Sequence, residues 1–392
     1  MNAAAIFNKI SMFVRAKKRW KSPPKADVLQ FDSTGADYFR SYLQNLRVEI
    51  LCLCDQEINI PILMRSMLSA KNIMCAYRDN YIKAVNPQLM ITFIDNSPLF
   101  YDMAKRHPGI KFIAVQNGIR SYYVDIFEML DELSVGLNRF RVDYYLAFGS
   151  RVAQELEKYL DGVKLCIGSF RNNLVPKTRR TILGRIAYVS QYRDFNGGFI
   201  GLGGKKLTQE EFAGKSDRII LSFLIDYAQK ANKSLYIIPC MGRDKNMLAK
   251  EKEYFYSLTG ERMSFTDWAW HGSSYDSVDE AEVTVNLDSS LGHESAARGN
   301  KTAFFSIRTE QMGVAGYTYG WPKNHPDEGP FWTKIANVDA FTRILDHLFA
   351  ITPQDWSTEL SEYKFSEITT YDPGNTVFQK IINDCVKADA SL

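Results

Sequence analysis

Asp288-Ser289-Ser290-Leu291-Gly292-His293-Glu294 puts small hydroxyls, a glycine and a carboxylate into one short stretch. An apolar run, 283–287, precedes it, and a second, 302–306, follows after Gly299 and Lys301. The pattern predicts strand, tight turn, short helix, glycine stop and strand. Backbone N–H groups at such a helix start can reach an anion, and the helix dipole favours negative charge there. Ser289, Ser290 and Gly292 are therefore candidates to hold phosphate. Glu294, in the first helical turn, is placed to accept hydrogen bonds from ribose hydroxyls. His293 is as well placed to pack as to touch phosphate.

Other polar clusters also follow apolar runs. They are Asp32-Ser33-Thr34-Gly35, Asp95-Asn96-Ser97, Gln116-Asn117-Gly118-Ile119-Arg120, Gly168-Ser169-Phe170-Arg171-Asn172-Asn173 and Ser190-Gln191-Tyr192-Arg193. If the runs are parallel strands, every cluster lies at a carboxyl end, where open α/β sheets bind ligands. Asp32 or Asp95 could deprotonate an acceptor hydroxyl as general base. Gln116, Asn117 and Arg120 would bind acceptor, and Ser190, Gln191 and Arg193 would join the donor side. Simpler roles exist for each. Asp32-Ser33-Thr34 can cap a helix, Asp95-Asn96 can form a turn, and Arg193 can pair with Asp194 in solvent. The aromatic loop from Tyr319 to Trp332 reads as a lid, a base-stacking wall or a packed seam. No H-E-x-x-H, no D-x-D after a strand and no G-x-S-x-G occurs, and Gly201-x-Gly203-Gly204-Lys205 lacks P-loop spacing. The expectation is chemistry without metal or cofactor, with a nucleotide-sugar as co-substrate.

The elements that must position these residues alternate. Val28–Phe31, Val48–Leu53, Leu89–Ile94, Lys111–Gln116, Tyr144–Phe148 and Lys164–Ile167 are short apolar runs. Amphipathic stretches such as 60–70 and 151–160 lie between them. Residues 171–184, polar and containing Pro176, read as a linker. The pattern restarts with strands Arg185–Val189, Ser234–Pro239, 283–287 and 302–306, and with helices 216–232 and 244–257. Stretches 338–350 and 374–388 are helical again. The predicted fold class is α/β, with two Rossmann-like doubly wound domains facing a cleft. The expected boundaries are a basic amphipathic segment at 1–25, an acceptor domain at 26–175, a nucleotide-sugar domain at 185–337 and helices at 338–392, which would cross back to brace the first domain.

Composition narrows the function. Apolar residues make up 45% of the 392, which suits globular domains rather than disorder. Of 48 basic residues, seven lie in the first 25, which hold no acidic one. The remainder has 41 basic against 45 acidic residues, so the body is no nucleic-acid binder by charge. Residues 3–20 predict a helix with Ile6, Phe7, Ile10, Phe13, Val14 and Trp20 on one side. Either it lies on an anionic membrane surface through residues 3–21 or it docks on the protein. The six cysteines form no C-x-x-C pair, which points to a reducing cytoplasm. No apolar run is long enough to span a bilayer, and the N-terminus does not read as a signal peptide because its charges follow the apolar start.

The stretch Ala281-Glu282-Val283-Thr284-Val285 through Asp288-Ser289-Ser290-Leu291-Gly292-x-Glu294-Ser295-Ala296-x-x-Gly299-x-Lys301 resembles the donor motif of GT-B glycosyltransferases and of non-hydrolysing UDP-sugar epimerases. The resemblance implies donor phosphate on Ser289, Ser290 and Gly292, and ribose on Glu294. From about residue 25 to 345 the chain is also similar to a bacterial surface-carbohydrate, or O-antigen, biosynthesis family. That likeness rests on Val28-Leu29-Gln30-Phe31-Asp32-Ser33-Thr34-Gly35, Ile91-Thr92-Phe93-Ile94-Asp95-Asn96, Ile113-Ala114-Val115-Gln116-Asn117-Gly118-Ile119-Arg120 and Tyr319-Gly320-Trp321-Pro322. Ser289-Ser290 and His325-Pro326 resemble transferases using CMP-linked nonulosonate or Kdo. The implied function is transfer of a sugar from a CMP- or UDP-linked donor to a surface-polysaccharide or lipid-linked acceptor, at the inner face of the cytoplasmic membrane. Domain closure would gate it. The alternatives are an epimerase of the same fold and a non-catalytic scaffold of the glycan pathway.

Overall fold

The computed structural model describes residues 14–52, 56–68, 72–121, 125–134, 139–194, 199–200, 206–260, 263–312, 320–321 and 324–387. Within them two six-stranded sheets carry the molecule. The first is built from β1 (Val28–Phe31), β2 (Val48–Leu51), β3 (Leu89–Thr92), β4 (Lys111–Val115), β5 (Phe140–Ala147) and β6 (Leu160–Cys166). Its spatial order is β2-β1-β3-β4-β5-β6, parallel throughout. The second contains β7 (Ile182–Val189), β8 (Ser234–Ile238), β9 (Ser264–Phe265), β10 (Ala281–Asn286), β11 (Thr302–Phe305) and β12 (Trp332–Thr333). Its order, β9-β8-β7-β10-β11-β12, is also parallel and is the dinucleotide-binding order of a Rossmann sheet.

Successive strand residues face opposite sides, and here both sides are apolar. Leu29, Phe31, Met90, Phe112 and Ala114 join one buried cluster, while Val28, Leu89, Ile91, Ile113 and Val115 join another. In the second sheet Ile186 and Tyr188 pack on one face, and Ala187 and Val189 on the other. Helices cover both faces, which is why the strands read as continuous apolar runs. The strand order reverses between β1 and β3 in the first sheet and between β7 and β10 in the second. Loops leaving those strands diverge, so each sheet has a crevice there.

The last helix, Thr376–Lys387, returns to the first domain. Its Phe378, Ile381 and Ile382 share a core with Phe39 and Phe170, and Phe378 meets Phe170 edge-on at 4.9 Å. The segment before it is tied in by an isolated bridge between Gly168 and Tyr371.

Two expectations change. Part of the N-terminal helix over 3–20 lies in residues 1–13, outside the described residues. Of its described end, residues 14–15 are helical, but Lys17–Arg19 is a strand paired in parallel with Glu57–Asn59. The cause is electrostatic: Arg19 pairs with Glu49 and stands 3.8 Å from Glu57, and Lys17 reaches Glu57 at 3.7 Å. The stretch 171–184 is no plain linker either. Phe170–Leu174 is helical and Asn172 and Asn173 are buried. Asn173 donates to Asn375 at 2.9 Å and to the Ile167 carbonyl at 2.8 Å.

Candidate functional site

A cleft of about 880 Å³ lies along the carboxyl ends of the second sheet. Val189, Ser190, Gln191 and Arg193 after β7 line it, with Ile238 to Met241 at the end of β8 and Asp288 to Leu291 after β10. Tyr38, Arg171, Leu174 and Val175 of the first half supply the opposite wall.

The opening motif folds because Asn286, the last residue of β10, holds its turn. Asn286 accepts from the Ser289 N–H at 3.0 Å and donates to the Ser289 carbonyl at 3.2 Å. Ser289 is the N-cap of the Ser290–Ala297 helix. Gly292 does not line the cleft. A Cβ there would stand 2.1 Å from Asn286 Cγ, so the glycine lets the helix start approach the strand end. Gly292→Ala is expected to cost about 1–3 kcal/mol through overpacking, read by urea denaturation; an unchanged midpoint would mean that the contact relaxes freely.

Glu294 is 2% exposed and lines the cleft. Tyr275 donates to its Oε2 at 2.9 Å, whereas the buried Oε1 has no hydrogen-bond partner among the described residues. A buried carboxylate oxygen left so is costly unless a ligand donor meets it. The buried Gln191 side chain bridges two cleft groups, its Oε1 accepting from Arg308 and its amide meeting the Asp288 carboxylate.

Arg308 follows β11 and is buried over the Phe212 ring, 4.1 Å from its centroid. Its 3.1 Å approach to Asp288 Oδ1 is an ion pair without hydrogen-bond alignment. Burial raises the Asp288 pKa, and the Arg308 charge opposes that rise. With Arg171, Arg193 and Arg243, Arg308 brings four guanidinium groups to the cleft. Of the four, Arg171 and Arg193 fall in the polar clusters that the motif pattern singles out, and Arg193 alone is assigned there to the donor side. Arg308 had one available signal, its place as the first basic residue beyond the 302–306 run.

The remaining candidates separate. Ser190 lines the cleft, but its hydroxyl bonds Glu251, which also accepts from the Cys240 and Met241 N–H groups at 2.9 Å each. Ser190 thereby positions the loop after β8. Asp95, Gln116, Asn117 and Arg120 are outside the cleft lining and form a buried scaffold beneath it. Asp95 is fully buried and paired with Arg120; it also accepts from Tyr145 at 2.7 Å and from the Asn117 N–H at 3.0 Å. Gln116 accepts from the Phe148 N–H at 2.8 Å and donates to the Gly118 carbonyl at 2.7 Å. This scaffold shapes a loop whose Ile119 N–H donates to Ser290 Oγ at 3.0 Å, joining the two halves.

Asp32 also lies outside that lining, at the carboxyl end of β1. Its φ of 68° is left-handed and its Oδ1 accepts from the Thr34 N–H at 2.8 Å and the Thr34 hydroxyl at 2.6 Å. Its buried Oδ2 has no partner among the described residues. A left-handed backbone beside a buried carboxylate oxygen with no partner among the described residues makes Asp32 a candidate site residue.

His293 and His325 pack instead of facing the cleft. His293 Nδ1–H donates to the Ser289 carbonyl, 3.1 Å away, and burial pushes the His293 pKa down to about 4. His325 stacks on Trp321 at 4.4 Å, and burial and nearby Lys334 bring it also to about 4. Trp321, Phe331 and Trp332 are buried beside it, whereas Asn324 and residues 326–328 are exposed, so the described aromatic side chains of the loop are packed and its polar stretch faces out. Among the described residues no three His, Cys, Asp or Glu groups cluster as metal ligands.

Two Rossmann-like sheets, a ligand-sized cleft at their carboxyl ends and a final helix crossing back define a GT-B-like protein. A family model described as "putative O-antigen biosynthesis protein" matches residues 113–386. The chain belongs to that family, and its role is in surface-glycan biosynthesis. No curated protein matches the chain. Among solved structures it is similar to a glycosyltransferase from Rickettsia africae, at 12% identity and a TM-score of 0.47 over 93% of this chain and 99% of the other. It is also similar to the wall teichoic acid polymerase TagF, at 12% identity and a TM-score of 0.49 over 94% and 89%. A third is UDP-GlcNAc 2-epimerase from Neisseria meningitidis bound to UDP-GlcNAc, at 10% identity and a TM-score of 0.45 over 92% and 99%.

Proposed function

We propose that the chain is a glycosyltransferase that needs no metal and moves a sugar from a nucleotide-sugar donor to a surface-polysaccharide or lipid-linked acceptor. Glu294 Oε1, buried in the cleft with no hydrogen-bond partner among the described residues, carries this reading, since a ribose hydroxyl would supply a donor. Ser289 and the N–H groups of the helix start would hold phosphate. Arg171 and Arg308 would stabilise the charge that develops on the leaving nucleotide. Asp32 is the proposed general base on the acceptor side, and Asp95 is assigned to structure because its oxygens are already occupied by Arg120, Tyr145 and Asn117.

A thermal-shift screen with CMP, UDP, GDP and dTDP tests the donor site. At least one nucleotide is expected to raise Tm. Glu294→Ala should weaken its binding about tenfold to a hundredfold, the range for a hydrogen bond to a charged group. Absence of any shift would sink the reading, and turnover of a free UDP-sugar without acceptor would replace it with epimerisation.

A further inference from the structure

An apolar surface stands at the edge of the first sheet, away from the cleft residues. The helix Ile60–Met67 follows the strand Glu57–Asn59 and packs against the helix Ile73–Val85. Asn80 donates to Ser66 at 3.0 Å, and Tyr77, in the buried cluster that also holds Ile62, accepts from the Asn59 N–H at 2.8 Å. The outward side is different. Met64, Met67 and Leu68, spaced at i, i+3 and i+4 on one helix face, are 63%, 61% and 89% exposed. Ile73 and Met74, which open the partner helix, are exposed too. Trp20, 73% exposed, follows Arg19, which is in register with Asn59. Asn59 is the N-cap of the Ile60–Met67 helix, so the chain carries Trp20 past the start of that helix. Contiguous exposed apolar surface of this size marks an interaction face.

Its charge selects the occupant. Residues 58–78 contain no Asp or Glu, and Arg65 lies among the exposed apolar groups. Arg15, Lys17 and Lys21 are exposed on the adjoining strand segment, which carries six basic residues over 14–25 and no acidic one. A flexible methionine-rich face rimmed by cations suits acyl chains beneath anionic headgroups. We propose that the face formed by Trp20, Met64, Met67, Leu68, Ile73 and Met74 docks on an anionic lipid bilayer. Docking here would hold the first domain, the proposed acceptor side, against the surface where an amphiphilic acceptor resides. Among the described residues no helix is long and apolar enough to cross a membrane, so this contact is in-plane.

The full chain is sedimented with phosphatidylcholine vesicles, with and without phosphatidylglycerol, in the absence of nucleotide. Wild type should partition onto the anionic vesicles only, and less at high salt. Met67→Glu/Leu68→Glu should abolish partitioning. Arg15→Glu/Lys18→Glu/Lys21→Glu should lower it on the order of a hundredfold. Both variants should keep the nucleotide thermal shift, so failure of the lipid contact and failure of the donor site are read separately. No binding by wild type, or equal binding by Met67→Glu/Leu68→Glu, would overturn the proposal. So would a wild-type dimer that this double variant turns into a monomer, because the face would then belong to self-association.

Discussion

Asp32→Asn is expected to lower glycosyl transfer by about 10²–10⁴-fold, the usual contribution of a positioned general base, while leaving Tm and nucleotide binding near wild type. The substitution separates chemistry from architecture for two reasons. Asn accepts left-handed backbone conformations more readily than most residues, so the φ of 68° can persist. An amide oxygen can also still accept from Thr34 in place of Oδ1. What disappears is the basicity of the carboxylate whose Oδ2 has no partner among the described residues. Initial rates with saturating donor, together with a nucleotide titration, provide the check. Full turnover by Asp32→Asn would remove Asp32 from catalysis.

Asp95→Ala is expected to act on stability. It leaves the Arg120 guanidinium buried with Asp125, at 3.4 Å, as its one remaining carboxylate among the described residues and Asn117 Oδ1 as a neutral acceptor at 2.9 Å, and strips a partner from Tyr145 and from the Asn117 N–H. Breaking one side of a buried ion pair costs about 3–5 kcal/mol. For a domain of this size that corresponds to a fall in Tm of roughly 6–20 °C. Because the Asp95 scaffold shapes the loop whose Ile119 N–H meets Ser290, nucleotide affinity should fall along with stability. A variant with unaltered Tm but lost turnover would reverse the assignment and return Asp95 to the chemistry.

The contrast between these two aspartates shows what the sequence makes legible. Both follow apolar runs, and both sit near turn-forming residues, so pattern alone treats them alike. Their difference lies in partners from distant strands: Tyr145 on β5 and Arg120 after β4 occupy Asp95, and no described residue occupies Asp32 Oδ2. The central strands β1, β3 and β4 were readable because parallel strands buried on both faces are continuous apolar runs. The strand Lys17–Arg19 was not, since a basic tripeptide becomes a strand only when Glu49 and Glu57 are brought alongside. Arg171, Asn172 and Asn173 read as linker for the same reason: polar residues declare their burial through partners far along the chain. Gly292 was legible as a requirement but not as a cause, because its neighbour Asn286 is visible only after the turn has folded.

The Ser290–Ala297 helix meets the first half of the molecule at both ends. At its start Ser290 accepts from Ile119. Just past its end, Arg298 is buried against Asp279 and donates to the carbonyl of Val175 at 2.8 Å and to Asn172 Oδ1 at 3.0 Å. The element that would grip phosphate is thus also a tie rod between the halves. A pull on its first turn is borne at once by the loop after β4 and by the connecting segment. Rotation of one half against the other would in turn shift the N–H groups facing the cleft. Filling the cleft and setting the angle between the sheets would then be two measurements of a single mechanical coordinate.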